Sequence, residues 1–174
     1  MRSALESIDT FDKEVTSWMA RNGVVLLRVA LGAVFFWFGI LKFFPAASPA
    51  EELAGRTIST LTFGLVTPAI SVPFLAAWET AIGLGLMFGV FLRGTLLLLF
   101  LQMSGTLLPL AFYPQEVFLH FPYAPTLEGQ YIIKNVVLIA AGIVIGATAR
   151  GGKIIADPQV AREAHAKEAA RQGA

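Results

Sequence analysis

The chain has no cysteine. Disulfides, thiolate nucleophiles and thiolate metal sites are therefore excluded for this chain alone, and redox chemistry says nothing about its compartment. Histidine is nearly absent: His120 and His165 are the two present, both in polar or loop stretches. A haem held by paired histidines within a bilayer would find no ligands. Neither a metal nor a covalently held cofactor is expected. Charge is scarce too: 14% of the 174 residues are charged against 56% hydrophobic, with a net charge of +1. Soluble domains carry about a quarter charged residues. Too little polar surface remains to coat a globule, and nothing points to nucleic acid. The length suits one domain.

What the chain has instead is long apolar runs. Residues 22–44, 68–91, 95–113 and 127–149 are each long enough to cross a roughly 30 Å hydrocarbon core at about 1.5 Å per residue. The expected fold is all-α: an antiparallel bundle of four transmembrane helices, with short amphipathic helices at the N-terminus and in the first outer loop. In residues 1–21, Ala4, Ile8, Phe11, Val15 and Trp18 recur at helical spacing with Glu6, Asp9, Lys13 and Glu14 off the stripe. That helix lies either in the membrane interface or against protein in the cytoplasm. The first run is too long for a cleaved signal peptide, and acidic residues precede it, so it is read as retained. Ser48, Pro49 and Glu51 have the grammar of a helix start. Thr67-Pro68 opens the second span, and Arg93-Gly94 leaves almost no loop before the third. Pro109 kinks the third span and frees a carbonyl. A proline- and aromatic-rich loop, residues 114–125, leads to Thr126, which caps the fourth span. Residues 150–174 form a charged tail, a solvated helix or a frayed end.

Basic residues fix the expected orientation. Arg2, Lys13, Arg21, Arg93, Arg150, Lys153, Arg162, Lys167 and Arg171 fall on one side, against Arg56 on the other. The positive-inside rule then puts both termini in the cytoplasm of a cell whose inner membrane the chain crosses.

Arg28, Lys42 and Lys134 remain within spans, together with a single acid, Glu79, beside Trp78. A carboxylate at bilayer mid-depth is costly unless paired, protonated or facing water, so it marks a candidate site. Arg28, Gly32, Phe35, Gly39 and Lys42 share one helical stripe, with two glycines where another helix or a ligand could approach closely. Depth counting puts Glu79 roughly 15 Å below the outer end and Lys134 roughly 7–10 Å below it. Lys42 falls within about one turn of the outer surface. Lys134 is therefore the preferred partner of Glu79 and Arg28 the second, its depth matching that of Gln102 better; Asn135 and Gln130 add polar groups near the outer end of the fourth span. Structural alternatives stand beside each. Arg28 and Lys42 could snorkel to the headgroups, Lys134 could anchor at the interface, and Glu79 could be a salt bridge that only holds the bundle. Gln102 and Thr106 suit interhelical hydrogen bonding, and His120 suits a surface position.

Three stretches, Phe38-Gly39-Ile40-Leu41-Lys42-Phe43, Trp78-Glu79 with Gly83, and Glu128 to Asn135, together resemble the DoxX-like family of small four-helix membrane proteins. The likeness covers roughly residues 24–149, and its last stretch is the most specific. It implies an integral helical membrane protein. Some relatives are described as membrane subunits of a thiosulfate–quinone oxidoreductase, others as partners in oxidative-stress or thiol-homeostasis complexes. Any thiol chemistry would have to come from a partner, and the chain has no self-contained catalytic motif.

Two functions follow. In one, a membrane subunit binds a quinone or another amphipathic small molecule, or a lipid, around Glu79 and docks a redox or stress-response partner. In the other, a non-catalytic anchor or assembly protein, with a homo-oligomer as one form, uses its buried charges to set helix register. A small-solute or proton transporter ranks below both, because four short helices show no internal repeat.

Overall fold

A computed structural model describes residues 2–44, 47 and 51–172. Four helices among them are long and apolar enough to cross a membrane: Thr10–Leu41, Pro68–Phe88, Leu92–Phe112 and Leu127–Thr148. The protein is an all-α polytopic membrane protein. Its chain divides into one unit of Leu27–Ala149 and another of Met1–Leu26 with Arg150–Ala174. Helix α1 (Arg2–Leu41) runs without interruption through what the sequence suggests are a separate N-terminal helix and a first span. It stops at Leu41 rather than continuing to Phe44, and residues 42–44 close in tight turns. The proposed helix start at Ser48 and Pro49 lies outside the described residues.

In the Leu27–Ala149 unit, α2 (Glu51–Leu61) follows and α3 (Pro68–Phe88) begins with proline at its first turn, where the missing N–H costs nothing. The turn into α4 (Leu92–Thr106) is made at Gly89, whose left-handed φ of 68° caps α3, so Arg93 and Gly94 sit inside α4 instead of forming the turn. Pro109 breaks the third span. Its ring nitrogen has no proton to give, the backbone N–H of Leu108 bonds to the Gly105 carbonyl, and a short α5 (Pro109–Phe112) resumes. The loop expected after it is ordered. It forms α6 (Pro114–Val117) and a small antiparallel hairpin, β1 (Phe118–His120) with β2 (Ala124–Pro125). Thr126 then caps α7 (Leu127–Thr148), its hydroxyl accepting from the Gly129 N–H at 3.2 Å.

The long helices pack as antiparallel neighbours in chain order, α1 on α3, α3 on α4 and α4 on α7. Glycine sets the closest approach. A Cβ added at Gly83 would lie 2.4 Å from the Phe36 backbone nitrogen, and one at Gly39 would lie 2.6 Å from that of Thr80. Here two backbones touch, the small-residue packing that holds helices together in lipid. On α7, Gly142 receives Phe100 and Leu99, and Asn135 donates to the Thr106 hydroxyl at 3.1 Å. One end of this unit, the turn end, carries the Gly89 turn. The other, the loop end, carries α2, α5, α6 and the hairpin. At the loop end Gly55 rests on Pro68, and Arg56 pairs with Glu116 while lying 5.0 Å from the centre of the Tyr113 ring. The hydrogen bonds that Arg56 donates to Glu116 push its pKa further up, so the guanidinium stays charged.

In the other unit, α8 (Pro158–Gln172) is helical, and the Asp157 carboxylate accepts from the N–H groups of Gln159 and Val160. Along the start of α1, Ile8, Phe11 and Trp18 are exposed.

Substituting Gly83 by valine is expected to lower stability by about 1–3 kcal/mol or more, because overpacking here meets backbone and not a side chain that can swing aside. Gly94→Ala, where an added Cβ meets nothing within 4 Å, should instead be neutral or gain up to about 1 kcal/mol of helix propensity. Thermal unfolding of the purified variants in detergent checks both signs. The exposed Arg56–Glu116 pair should matter less: Glu116→Ala is expected to cost no more than about 1 kcal/mol in the same assay.

Candidate functional site

Glu79 sits eleven residues into α3, about 16 Å from its start and about 14 Å from its end, at mid-depth. It is 7% exposed, and each of its carboxylate oxygens accepts a bond. Lys42 Nζ donates to Oε2 at 2.6 Å, and Gln102 Nε2 donates to Oε1 at 2.6 Å. Lys42 is 8% exposed and Gln102 7%. Lys42 also donates to the Phe38 carbonyl at 3.4 Å. A buried acid, a buried base and a buried amide thus join α1, α3 and α4 at one level.

The partner of Glu79 is Lys42, and the preference for Lys134 is corrected. Depth counting assumed that the first span runs its full length to Phe44, which puts Lys42 near the surface. The structure seats the last turns of α1 against the middle of α3, with Gly39 on Thr80, so the helix ends at the level of Glu79 and delivers Lys42 there. Lys134 is exposed, its ammonium 5.4 Å from the centre of the Tyr131 ring. About two turns from the start of α7, its stem reaches outward as snorkelling lysines do.

Arg28 does not reach Glu79 either. Its guanidinium donates to the Leu86 carbonyl and, at 3.3 Å, to that of Met87. It covers carbonyls that the end of α3 leaves open and places a cation at the negative end of that helix. Asn135 belongs to the α4–α7 contact. Trp78 is half-buried and turns toward α4, its indole N–H donating to the Leu98 carbonyl at 3.2 Å while its ring meets Phe74 edge-on at 5.4 Å. Of the residues singled out from sequence, the structure brings together Glu79, Lys42 and Gln102, and sends Lys134, Arg28, Asn135 and Trp78 elsewhere. His120 is exposed and stacks on Tyr123.

Sequence reasoning passed over Ser71, which is 2% exposed. A serine in the first turn of a span carries no signal that separates it from a helix cap. Two side-chain acceptors in α3 and α4, Ser71 Oγ and Gln102 Oε1, are buried and find no partner among the described residues. The orientation of the Gln102 amide is dictated by its neighbour: a carboxylate must face the NH₂ group, so the carbonyl oxygen points away. No group of three His, Cys, Asp or Glu among the described residues is arranged to hold a metal ion.

Removing one member of the Lys42–Glu79 pair leaves a lone charge. Glu79→Leu or Lys42→Met alone is therefore expected to cost about 3–5 kcal/mol, whereas the double variant should recover most of the loss. A double-mutant cycle on detergent unfolding measures that coupling.

A family model described as DoxX matches residues 23–113. The match takes in α3, α4 and the part of α1 that carries Gly32, Gly39 and the span up to Lys42. It stops before α7, so the Glu128–Asn135 stretch lies outside it. No curated protein and no solved structure gives a match.

Proposed function

The chain belongs to the DoxX family, and from that premise we propose that it is an inner-membrane subunit that binds a quinone or another amphipathic small molecule beside Glu79 and works with a redox or stress-response partner. The observation that carries this reading is the Gln102 carbonyl oxygen, held at mid-depth beside a paired carboxylate and without a donor among the described residues. A small molecule dissolved in the bilayer that offers a hydroxyl would satisfy it, with apolar walls around and few convergent polar groups. The excess of basic residues on one side supports a cytoplasmic location for both termini. The exposed stripe of Ile8, Phe11 and Trp18 on α1 supports a role for the N-terminal segment in partner association.

A second reading has its own support. Both oxygens of Glu79 are already engaged by protein donors at 2.6 Å, which suits an anchor or assembly protein whose buried charges only fix helix register.

Native mass spectrometry of the protein purified in mild detergent separates the two. The ligand reading expects one retained quinone-sized molecule, and a higher melting temperature when a short-tailed benzoquinol is added, since a ligand stabilises the state it binds. Both effects should vanish in the Lys42→Met/Glu79→Leu double variant, which the structure expects to stay folded. A wild-type protein that retains nothing and does not respond to the quinol or its quinone leaves the structural reading.

A further inference from the structure

Buried polar groups in the Leu27–Ala149 unit are unevenly spread along its helices. Three buried side-chain atoms have no partner among the described residues: Gln102 Oε1, Ser71 Oγ and Glu51 Oε2. Gln102 is at the level of Glu79. Ser71 lies eight residues before Glu79 on α3, about 12 Å nearer the loop end. Glu51 opens α2, one turn before Gly55, which rests on Pro68, and Pro68 is one turn from Ser71. Gln102 Oε1 and Glu51 Oε2 are acceptors and the Ser71 hydroxyl can donate or accept; all lie level with Glu79 or on its loop-end side. An unpartnered buried polar atom is costly, so three in one half of the unit require hydrogen-bond partners from elsewhere.

The turn-end half is built differently. Of the five largest fully buried side chains among the described residues, Ile82, Leu86, Leu99 and Ile145 lie there, and Val117 lies at the loop end. Gly32, Gly39 and Gly83 bring α1 and α3 together backbone to backbone. The buried polar residue on that side, Thr95, is bonded to the carbonyls of Val90 and Phe91. The helices give a reason for the asymmetry. From the level of Glu79, α3 continues about 16 Å toward the loop end, whereas α1 has already stopped.

We infer that water reaches the Lys42–Glu79 pair from the loop end and goes no further: the pair is the floor of a one-sided hydrated passage, closed by an apolar plug toward the turn end. Buried water is held by two to four polar groups at a time. Glu51, Ser71 and Gln102 provide such groups at successive levels, and water supplies the partners they lack. The pair then exchanges protons with one aqueous phase only. This inference is independent of the ligand reading: a passage can be hydrated without a bound quinol, and the two are measured separately.

The absence of cysteine makes the test direct, because every introduced thiol is unique. Single variants Ser71→Cys and Gln102→Cys are compared with Ile82→Cys and Leu86→Cys in sealed membrane vesicles, using a charged, membrane-impermeant methanethiosulfonate. Tyr123→Cys reports the loop-end phase and Gly94→Cys the turn-end phase. The thiols at positions 71 and 102 should be modified from the phase that modifies the Tyr123→Cys reporter and be spared from the other. Those at 82 and 86 should be spared from both, yet all should react after denaturation. Ser71→Cys swaps atoms of similar size, so its fold is the safest, and its melting temperature verifies this. A folded Ser71→Cys variant that resists the loop-end reagent overturns the proposal. So does modification at 82 or 86, or modification of either upper thiol from the turn-end phase.

Discussion

A carboxylate halfway through an apolar layer has to be met by donors that its own protein supplies, since lipid offers none. In this protein the donors are Lys42 from the end of α1 and Gln102 from the middle of α4, one on each oxygen of Glu79. That requirement fixes the register of three helices at once. Moving α4 along α3 by one turn, about 5.4 Å, would carry Gln102 out of reach.

Glycine makes the meeting possible. Gly32, Gly39 and Gly83 let the α1 and α3 backbones touch, and only at that separation does Lys42, just beyond the last turn of α1, arrive within 2.6 Å of a carboxylate buried on α3. Arg28, fourteen residues earlier on the same stripe, ties down the other end of the contact by holding the last carbonyls of α3. The stripe therefore has a cation at each end and close packing between them. One cation neutralises a side chain and the other a helix terminus.

Membership of the DoxX family gives the chain its class but not its chemistry. The structure narrows what that chemistry could use. Neither a metal-binding group among the described residues nor a thiol anywhere in the chain is at hand. What is present is a paired acid and an amide whose carbonyl has no donor among the described residues. Such a site can bind, orient or exchange protons with a small molecule.

The sequence by itself determined the class, the number of spans and the face of α1 that looks inward, because 56% hydrophobic residues in long runs have few other solutions and two glycines on one stripe mark a close contact. It also singled out Glu79, since an acid with no interface within reach is costly wherever it turns. What only the tertiary structure decided was the partner. Depth counted from span ends treats every helix as crossing the whole layer, and α1 stops at mid-depth on α3. That offset exchanged the roles of Lys42 and Lys134. Helix ends depend on contacts made by distant residues, here Gly39 on Thr80, and a pattern read along one chain cannot hold information about which backbone lies against it.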